Sequence, residues 1–235
     1  MKLKVLYEDN HLIVVFKPAG VLSQPDKTGD KSILDEVKKY LKEKYKKPGN
    51  VYLGLLHRLD RPVCGIMLFA KTSKGATRLS EQFRNHTIEK IYQAIVIGKP
   101  PKNRGIFTHR LIKDEKFKKA RKSEKGEEVN LYYEIIKSNN TYSLLKIKID
   151  GGKFHQIRAQ LSLAGFPILG DVKYLPSRLP AGRQGRQAAA EWHDPKSIAL
   201  CATDISFKTA TSKEEIRLST QMPKEWEEYL STGKT

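Results

Sequence analysis

The pattern of apolar and polar positions predicts strands along most of this chain. Val5 and Tyr7 alternate before the turn Glu8-Asp9-Asn10, and residues 12–16 form a continuous apolar run after it. Apolar runs bounded by turn residues in this way are typical of paired β-strands. The same criteria predict further strands at residues 51–56, 65–70, 89–98, 131–136, 142–149, 198–207 and 216–218.

Four segments have the spacing or the capping residues of helices. Ser32 is a suitable N-cap for a helix in which Leu34, Val37 and Leu41 recur at intervals of three and four residues. Strands and helices mixed along one chain predict an α+β fold. Further helices are predicted after a cap at Thr72 or Ser73, across Ile157 and Leu161, and from Pro223 onwards.

The length of 235 residues and the hydrophobic content of 39% allow a real core, and we expect one catalytic domain over residues 1–235. Residues 176–195 are rich in Pro, Ala, Gly, Arg and Gln, which predicts a flexible insertion. No apolar run approaches the roughly 18 residues of a membrane helix, and the N-terminus lacks a signal-peptide stretch. These features predict a cytoplasmic protein without a membrane partner, in which Cys64 and Cys201 are reduced thiols.

The charge of the chain indicates a polyanionic partner. It carries 44 Lys and Arg residues against 26 Asp and Glu residues, a formal net charge of +18. Nucleic acid is the leading candidate, because neutralising phosphates releases counterions, whereas the alternative is a surface of solvated lysines that serves solubility. Residues 107–126 are very basic, and they form either a flexible or hairpin segment along a phosphate backbone or an ordinary surface loop.

The stretch LHRLDRPVCGIMLFAK, residues 56–71, combines one carboxylate with basic side chains and a Pro/Gly break between apolar runs. Its only acid, Asp60, lies in a predicted connection between two buried strands, where function is common. A metal site of His57, Asp60 and His155 lacks tight ligand spacing, and a Cys64 nucleophile beside His57 lacks an orienting acid. No phosphate-binding glycine loop is present. Residue chemistry alone leaves open an enzyme or a pure binding module.

The string HRLDRPVCGIMLFAKT resembles the catalytic motif of the RluA-type pseudouridine synthases, in which His-Arg-Leu-Asp precedes a short turn, Ser/Thr-Gly and an apolar strand ending in Ala-Lys. The resemblance implies the pseudouridine synthase fold, a mixed and mainly antiparallel sheet flanked by helices and loops with a central active-site cleft. It covers almost the whole chain. Other stretches that match the family, in the same order, are YEDNHLIVVFKPAGVLSQP, Lys90-Ile91-Tyr92, Gly152 to Arg158, GFPILGDVKY and Ala199 to Ala202.

The resemblance also implies roles for particular residues. Asp60 would be the essential carboxylate, and Tyr92 the aromatic residue that stacks on the target base and serves in proton transfer. Arg158 would be the cation that pairs with Asp60. The residues expected to contact RNA or to line the pocket are His57, Arg58, Lys153, His155, Gln156 and Leu200.

The chain departs from the family pattern at three positions. Lys153 stands where the family usually has arginine, which keeps the charge but loses bidentate geometry. Cys64 replaces the usual serine and Cys201 the usual histidine. Neither cysteine position is expected to take part in the chemistry.

The implied reaction is an isomerisation, for which we expect no cofactor and no metal. The glycosidic bond of uridine must break, the base must turn, and the sugar must rejoin at ring carbon 5. Asp60 could attack the base, attack the sugar or act as the base that forms a glycal, and the sequence leaves these routes open. A buried acid tends to be protonated, so Arg158 would keep Asp60 ionised. The uridine must leave its stack, which suits an aromatic platform with basic walls.

Two classes of function remain at this point. The first is an RNA uridine isomerase, and the second is a catalytically silent RNA-binding or RNA-folding protein on the same scaffold. Retention of Asp60, Tyr92 and Arg158 together favours the enzyme. The expected partner is a stem-loop of ribosomal or transfer RNA, and the expected state is a monomer. No small RNA-binding module is expected before the catalytic domain.

Overall fold

The computed structural model describes residues 2–176, 192–212 and 214–231. They divide into two compact units: unit 1 is Met1–Lys90 with Ala202–Thr220, and unit 2 is Ile91–Cys201 with Gln221–Thr235, as far as each is described. Each unit combines strands with helices, which confirms the predicted α+β class. That the two units act as one catalytic domain stays a prediction. The predicted insertion at 176–195 lies mostly outside the described residues.

Unit 1 contains an antiparallel ladder around a completely buried strand. The strand β1 (Lys4–Glu8) pairs with β2 (Leu12–Lys17). The whole length of β2 pairs with β4 (Cys64–Ala70), so that Lys17 lies opposite Gly65. Every residue of β4 is buried, as expected for a continuous apolar run covered on both faces. A short strand, β3 (Gly54–Leu55), precedes β4 in the chain.

The strand predicted at residues 51–56 is shorter than expected. Only Gly54 and Leu55 pair with β4, opposite Ala70 and Phe69. The next backbone N–H of β4, at Leu68, donates instead to the His57 side chain. The ladder ends at that point because a side chain has taken the donor that a further strand residue would need.

The remaining elements of unit 1 follow the predicted pattern. The Ser32 hydroxyl caps the first helix by accepting from the Asp35 N–H, and the Thr72 hydroxyl caps the second by accepting from Gly75. No helix among the described residues is long and apolar enough to cross a membrane. The further elements are α1 (Ile33–Lys44), α2 (Ser73–Arg84), β10 (Leu200–Lys208), whose first two residues belong to unit 2, and β11 (Glu215–Ser219), which pairs antiparallel with β10.

Unit 2 is a second antiparallel ladder, in the order β5, β9, β8, β6, β7. The basic segment predicted at 107–126 is a hairpin, in which β6 and β7 are joined by residues 115–118. The terminal helix begins with one turn of 3-10 helix, Lys224–Trp226. The other elements are β5 (Glu89–Ile97), whose first two residues belong to unit 1, β6 (Arg104–Asp114), β7 (Lys119–Lys122), β8 (Glu127–Ser138), β9 (Tyr142–Ile149), α3 (Gln156–Leu163) and α4 (Glu227–Ser231).

A charge cluster around the half-buried Glu8 holds the end of β1 in unit 1. The Glu8 carboxylate lies 2.7 Å from Lys71 Nζ and 2.8 Å from Lys44 Nζ, and it accepts hydrogen bonds from the Tyr40 and Tyr45 hydroxyls. Burial opposes ionisation of Glu8, but hydrogen bonds from Lys44, Lys71 and Tyr45 outweigh it and lower the pKa from 4.5 to about 2. The ionised form of Glu8 therefore stabilises the fold.

We expect Glu8→Gln to remove an acid-dependent part of the stability. Because the folded pKa is depressed, the contribution is fully present above pH 4.5 and is lost as the pH falls toward 2. Chemical denaturation at pH 7 should show a free energy of unfolding about 2 kcal/mol lower for the variant, and the difference should shrink toward pH 2. Glu43→Gln, which removes an exposed pair with Lys39, should change little. A pH-independent loss would contradict this account.

Candidate active site

Asp60 lies in the loop between β3 and β4 of unit 1, and the loop is fixed on both sides of it. The Leu59 N–H donates to the Ser23 hydroxyl at 3.0 Å, and the same hydroxyl donates to the Leu59 carbonyl at 2.6 Å. On the other side, the Gly20 N–H donates to the Arg61 carbonyl at 2.8 Å. The Val63 N–H closes a turn onto the Asp60 carbonyl. The backbone that carries this half-buried carboxylate is therefore held by residues far from it in sequence.

Lys17, at the end of β2, is a fully buried cation that supports the same loop. Its exposed fraction is 0%, and its Nζ donates to the carbonyls of Pro18 at 3.0 Å, Val21 at 2.8 Å and Arg61 at 3.3 Å. A buried ammonium group is stable only when its donors are satisfied. Lys17 therefore ties residues 18–21 to the residue that follows Asp60.

His57 is an internal acceptor in unit 1. Its Nε2 accepts a 3.0 Å hydrogen bond from the Leu68 N–H of β4, and its ring stacks on Phe83 with 5.1 Å between centroids. Desolvation, with a smaller effect of the positive charge of Lys90, lowers the pKa of His57 to about 3. The ring is therefore neutral and oriented by the fold. Arg58, the next residue, is exposed.

Arg158 lies in the first turn of α3 in unit 2, and a carboxylate holds it from one side. Its exposed fraction is 5%, and its Nε and Nη2 donate to the two carboxylate oxygens of Asp171 at 2.7 and 2.8 Å. The Tyr174 ring centroid lies 5.1 Å from the guanidinium carbon. A bidentate pair that is buried in this way fixes both the position and the plane of the guanidinium group.

Tyr174 links Arg158 to the hairpin. The Ala120 N–H of β7 donates to the Tyr174 hydroxyl at 2.6 Å, and His155 Nδ1 lies 2.9 Å from the same oxygen. Because a guanidinium group cannot accept, the 3.4 Å contact of Arg158 Nη1 with His155 Nε2 assigns Nε2 as the acceptor and puts the ring proton on Nδ1. The phenol oxygen thus accepts from His155, the residue that precedes α3, and from Ala120 of β7.

A family model described as RNA pseudouridylate synthase matches residues 11–163 of this chain, a range that includes Asp60, Tyr92 and Arg158. This chain belongs to the RNA pseudouridylate synthase family. The RluA-type resemblance noted in the sequence is thereby confirmed, and this pseudouridine synthase is an isomerase that acts on RNA. No observation favours a catalytically silent relative.

Similar proteins include ribosomal enzymes of two bacteria. The ribosomal large subunit pseudouridine synthase C of Rickettsia typhi is 32% identical over 223 residues, which cover 93% of this chain and 68% of that protein. The protein of the same name in Buchnera aphidicola subsp. Acyrthosiphon pisum is 28% identical over 233 residues, covering 97% of this chain and 70% of that protein. The likeness therefore extends over nearly all of this pseudouridine synthase.

Solved structures confirm the predicted pseudouridine synthase fold. Human RNA Pseudouridylate Synthase Domain Containing 4 superposes with a TM-score of 0.76 at 24% identity, covering 95% of this chain and 90% of that one. Human RNA Pseudouridylate Synthase Domain Containing 1 superposes with a TM-score of 0.71 at 19% identity, covering 94% of this chain and 83% of that one. These similarities concern the fold alone.

The structure places the expected site residues of this pseudouridine synthase in two groups. Unit 1 holds His57, Arg58 and Asp60 in one loop. Unit 2 holds Tyr92, which is buried on β5 opposite Ile147, and Leu200, which is buried at the start of β10. Arg158 has the partner Asp171, which the sequence analysis did not name, and its pairing with Asp60 stays a prediction.

The expected RNA contacts around α3 differ in accessibility. Gln156 has an exposed fraction of 2%, and its side-chain amide donates to the Asn130 carbonyl and to Gln160 while its oxygen accepts from the Lys153 N–H. The Gln156 side chain is therefore hydrogen-bonded within unit 2, and its expected contact with RNA stays a prediction. Lys153 is exposed, so its ammonium group is open to solvent. Its Nζ lies 2.7 Å from the carboxylate of Glu127, which is also exposed. His155 is half-buried and takes part in the contacts of Tyr174.

Four residues that support this site were missed as functional in the sequence. Ser23 and Lys17 belong to the stretch VVFKPAGVLSQP, and Asp171 and Tyr174 belong to GFPILGDVKY. Both stretches contributed to the resemblance, but no role was assigned within them. A lysine that ends an otherwise apolar strand was the available signal for Lys17, since such a cation needs acceptors nearby. The cysteines at 64 and 201 are buried and neither forms a disulfide, as predicted.

We expect Arg158→Lys to slow turnover without weakening RNA binding. Lysine keeps the charge but cannot make both contacts with Asp171, so the cation would shift relative to the reacting groups. A displacement of this kind predicts a kcat roughly 10- to 100-fold lower. The measurement is tritium release from uridine-labelled RNA, with binding followed separately. Arg104→Lys, at an exposed pair with Glu134, is the matched control, and an unchanged kcat for Arg158→Lys would show that bidentate geometry is dispensable.

Proposed function

We propose that this enzyme converts uridines of large-subunit ribosomal RNA to pseudouridine, in the cytoplasm and as a monomer. The ribosomal substrate is proposed because the relative that is 32% identical is named a ribosomal large subunit pseudouridine synthase. The observation that carries the chemical part is the Asp60 loop, whose backbone is fixed by Ser23 before the carboxylate and by Gly20 and Lys17 after it. Fixed backbone on both sides holds a catalytic group in one geometry.

The proposed chemistry assigns each reacting group a task. Asp60 is the carboxylate that attacks the base or the sugar, or removes the proton that gives a glycal, while the bond between N1 and the sugar carbon breaks. The base turns, the sugar carbon bonds to ring carbon 5, and the hydrogen of that carbon leaves as a proton while N1 gains one. The net reaction is an isomerisation, so no oxidant, metal or cofactor enters the balance.

The other expected residues act around that step. Tyr92 stacks on the extruded base and serves in the proton transfer, and Arg158 stabilises the carboxylate of Asp60 as its counter-charge. Arg58 and Lys153, which are both exposed, contact the phosphates of a stem-loop. His57 holds the start of the loop through its bond to Leu68, because its ring nitrogen is occupied within unit 1.

The direct test measures both the reaction and the substrate. The purified chain is incubated with in vitro transcribed large-subunit ribosomal RNA carrying tritium at uridine carbon 5, and solvent tritium is counted, with transfer RNA transcripts in parallel. Release from ribosomal RNA, followed by mapping of the modified positions, is the expected result. Release from transfer RNA alone would overturn the proposed substrate, and no release from either would overturn the proposed activity.

A further inference from the structure

A cavity of about 270 Å³ lies at the tip of the basic hairpin in unit 2. It is formed by the end of β6, by β7 and by residues 173–175, all within the same unit. It is slightly smaller than the range of roughly 300–1,000 Å³ typical of drug-sized ligands, which suits a single nucleotide. The lining residues that matter here are Asp114, Phe117, Lys119, Arg121, Lys173 and Tyr174.

Two aromatic rings line this cavity, and one of them is unusually open. Phe117, in the loop between β6 and β7, has an exposed fraction of 65%, higher than that of Tyr52 at 52%. Its backbone N–H donates to Asp114 Oδ1 at 3.1 Å, which fixes the turn that presents the ring. The Tyr174 ring is buried and forms the inner wall. A single exposed apolar residue is ordinary, but an open ring at the mouth of a cavity is a stacking platform.

The charges around the cavity favour an anion. The residues that line the cavity include three cations, Lys119, Arg121 and Lys173, and one acid, Asp114, whose carboxylate lies 3.1 Å from Arg121 Nε. Lys119 Nζ is also 5.8 Å from the Tyr174 ring centroid. A cavity that offers an open ring together with an excess of positive charge matches a base and its phosphate.

We propose that this cavity binds one unpaired nucleotide of the RNA substrate, with the base stacked on Phe117 and the phosphate held by Lys119 and Lys173. The inference rests on the proposed function, because it assigns the ligand to the RNA that this enzyme modifies. The residues that line the cavity belong to unit 2, whereas Asp60 belongs to unit 1. A duplex offers no exposed base face for the ring, so the subsite selects single-stranded RNA.

One residue, Tyr174, contacts both the proposed nucleotide subsite and Arg158. Tyr174 lines the cavity, accepts a hydrogen bond from Ala120 of β7 and lies against the Arg158 guanidinium group. Phe117 is an exposed residue of the loop between β6 and β7, so its removal should affect RNA binding and leave the chemical step unchanged. The expected signature is a higher KM for RNA at constant kcat.

The test uses binding in an inactive background and turnover in the active enzyme. Asp60→Asn protein with and without Phe117→Ala is titrated against a short fluorescein-labelled RNA strand and against the same strand in a duplex. Loss of a stacked base should raise the Kd for the single strand about fivefold or more and leave the duplex unaffected. Tyr52→Ala, which removes a comparably exposed ring in unit 1, should change neither.

A second measurement tests the charged wall. For single strands, each neutralised phosphate contact changes the slope of log Kd against log salt by about 0.7. Lys119→Gln should therefore lower that slope by about this amount, whereas Lys102→Gln, an exposed lysine before β6, should leave it unchanged.

The outcomes separate this inference from the proposed function. If the wild-type chain releases tritium but Phe117→Ala binds the single strand as tightly as before, the nucleotide subsite is wrong and the enzyme assignment stands. If no RNA is isomerised, the proposed function fails, and the binding arm still decides the subsite. Equal weakening of single-stranded and duplex RNA by Phe117→Ala would also overturn the proposal, because it would indicate that Phe117 maintains the shape of the hairpin and does not stack on an unpaired base.

Discussion

Asp60→Asn should abolish pseudouridine formation while RNA binding survives. The substitution keeps the size of the side chain but removes its charge and nucleophilic oxygen, so none of the three proposed routes can proceed. Loss of a nucleophile or general base of this kind typically lowers kcat by roughly 10³-fold or more. The measurement is single-turnover tritium release from labelled ribosomal RNA, with a filter-binding titration of the same RNA alongside.

The Asp60 experiment needs a control that separates chemistry from folding. The backbone around Asp60 is held by Ser23, Lys17 and Gly20, so we expect the variant to keep the fold of the loop. Asp26→Asn, in an exposed turn of the same unit, should leave turnover intact. Near wild-type turnover by a correctly folded Asp60→Asn protein would remove Asp60 from the proposed mechanism.

The sequence predicted those elements whose pattern is decided locally. The bounds of β9 agree with the prediction, because its alternation runs between two clear turns. Of the two caps predicted for α2, Thr72 and Ser73, the structure uses Thr72. The length predicted for the strand at 51–56 was wrong, because a side chain sets where that strand ends. His57 accepts from the Leu68 N–H, which would otherwise have continued the ladder. Such an interaction leaves no trace in hydrophobic periodicity.

The sequence named candidate reacting groups but not the residues that support them. Asp60, Tyr92 and Arg158 were named because they lie in recognisable motifs, and their roles stay predictions. The partner of Arg158 lies 13 residues further along the chain, at Asp171, and spacing alone could not distinguish it from any other carboxylate. Gln156 was named from its motif as an RNA contact, which stays a prediction, and the motif gave no sign that its side chain also bonds to Asn130 and Gln160.

Lys17→Met should both destabilise the protein and impair the Asp60 loop. Methionine fills a similar volume but removes the donor that Lys17 supplies to the carbonyls of Pro18, Val21 and Arg61, of which the Arg61 carbonyl still accepts from the Gly20 N–H. Each buried acceptor that loses its partner costs about 1–3 kcal/mol, partly offset by no longer burying a charge. We expect the free energy of unfolding to fall by about 3 kcal/mol. Lys42→Met, on the exposed face of α1, is the matched control and should change little.

The loop effect is distinguished from the stability effect by working where Lys17→Met is still folded. At low temperature the folded variant should bind RNA as the wild type does, but kcat should fall at least about tenfold, because residue 61 no longer holds Asp60 in place. Lys17→Gln keeps one donor group, so its kcat should lie between those of the wild type and of Lys17→Met. It provides a second variant if methionine prevents folding. A normal kcat in a folded variant of reduced stability would mean that Lys17 stabilises unit 1 as a whole and does not position the Asp60 carboxylate. In that case the hydrogen bond from the Gly20 N–H alone would hold the Arg61 carbonyl in place.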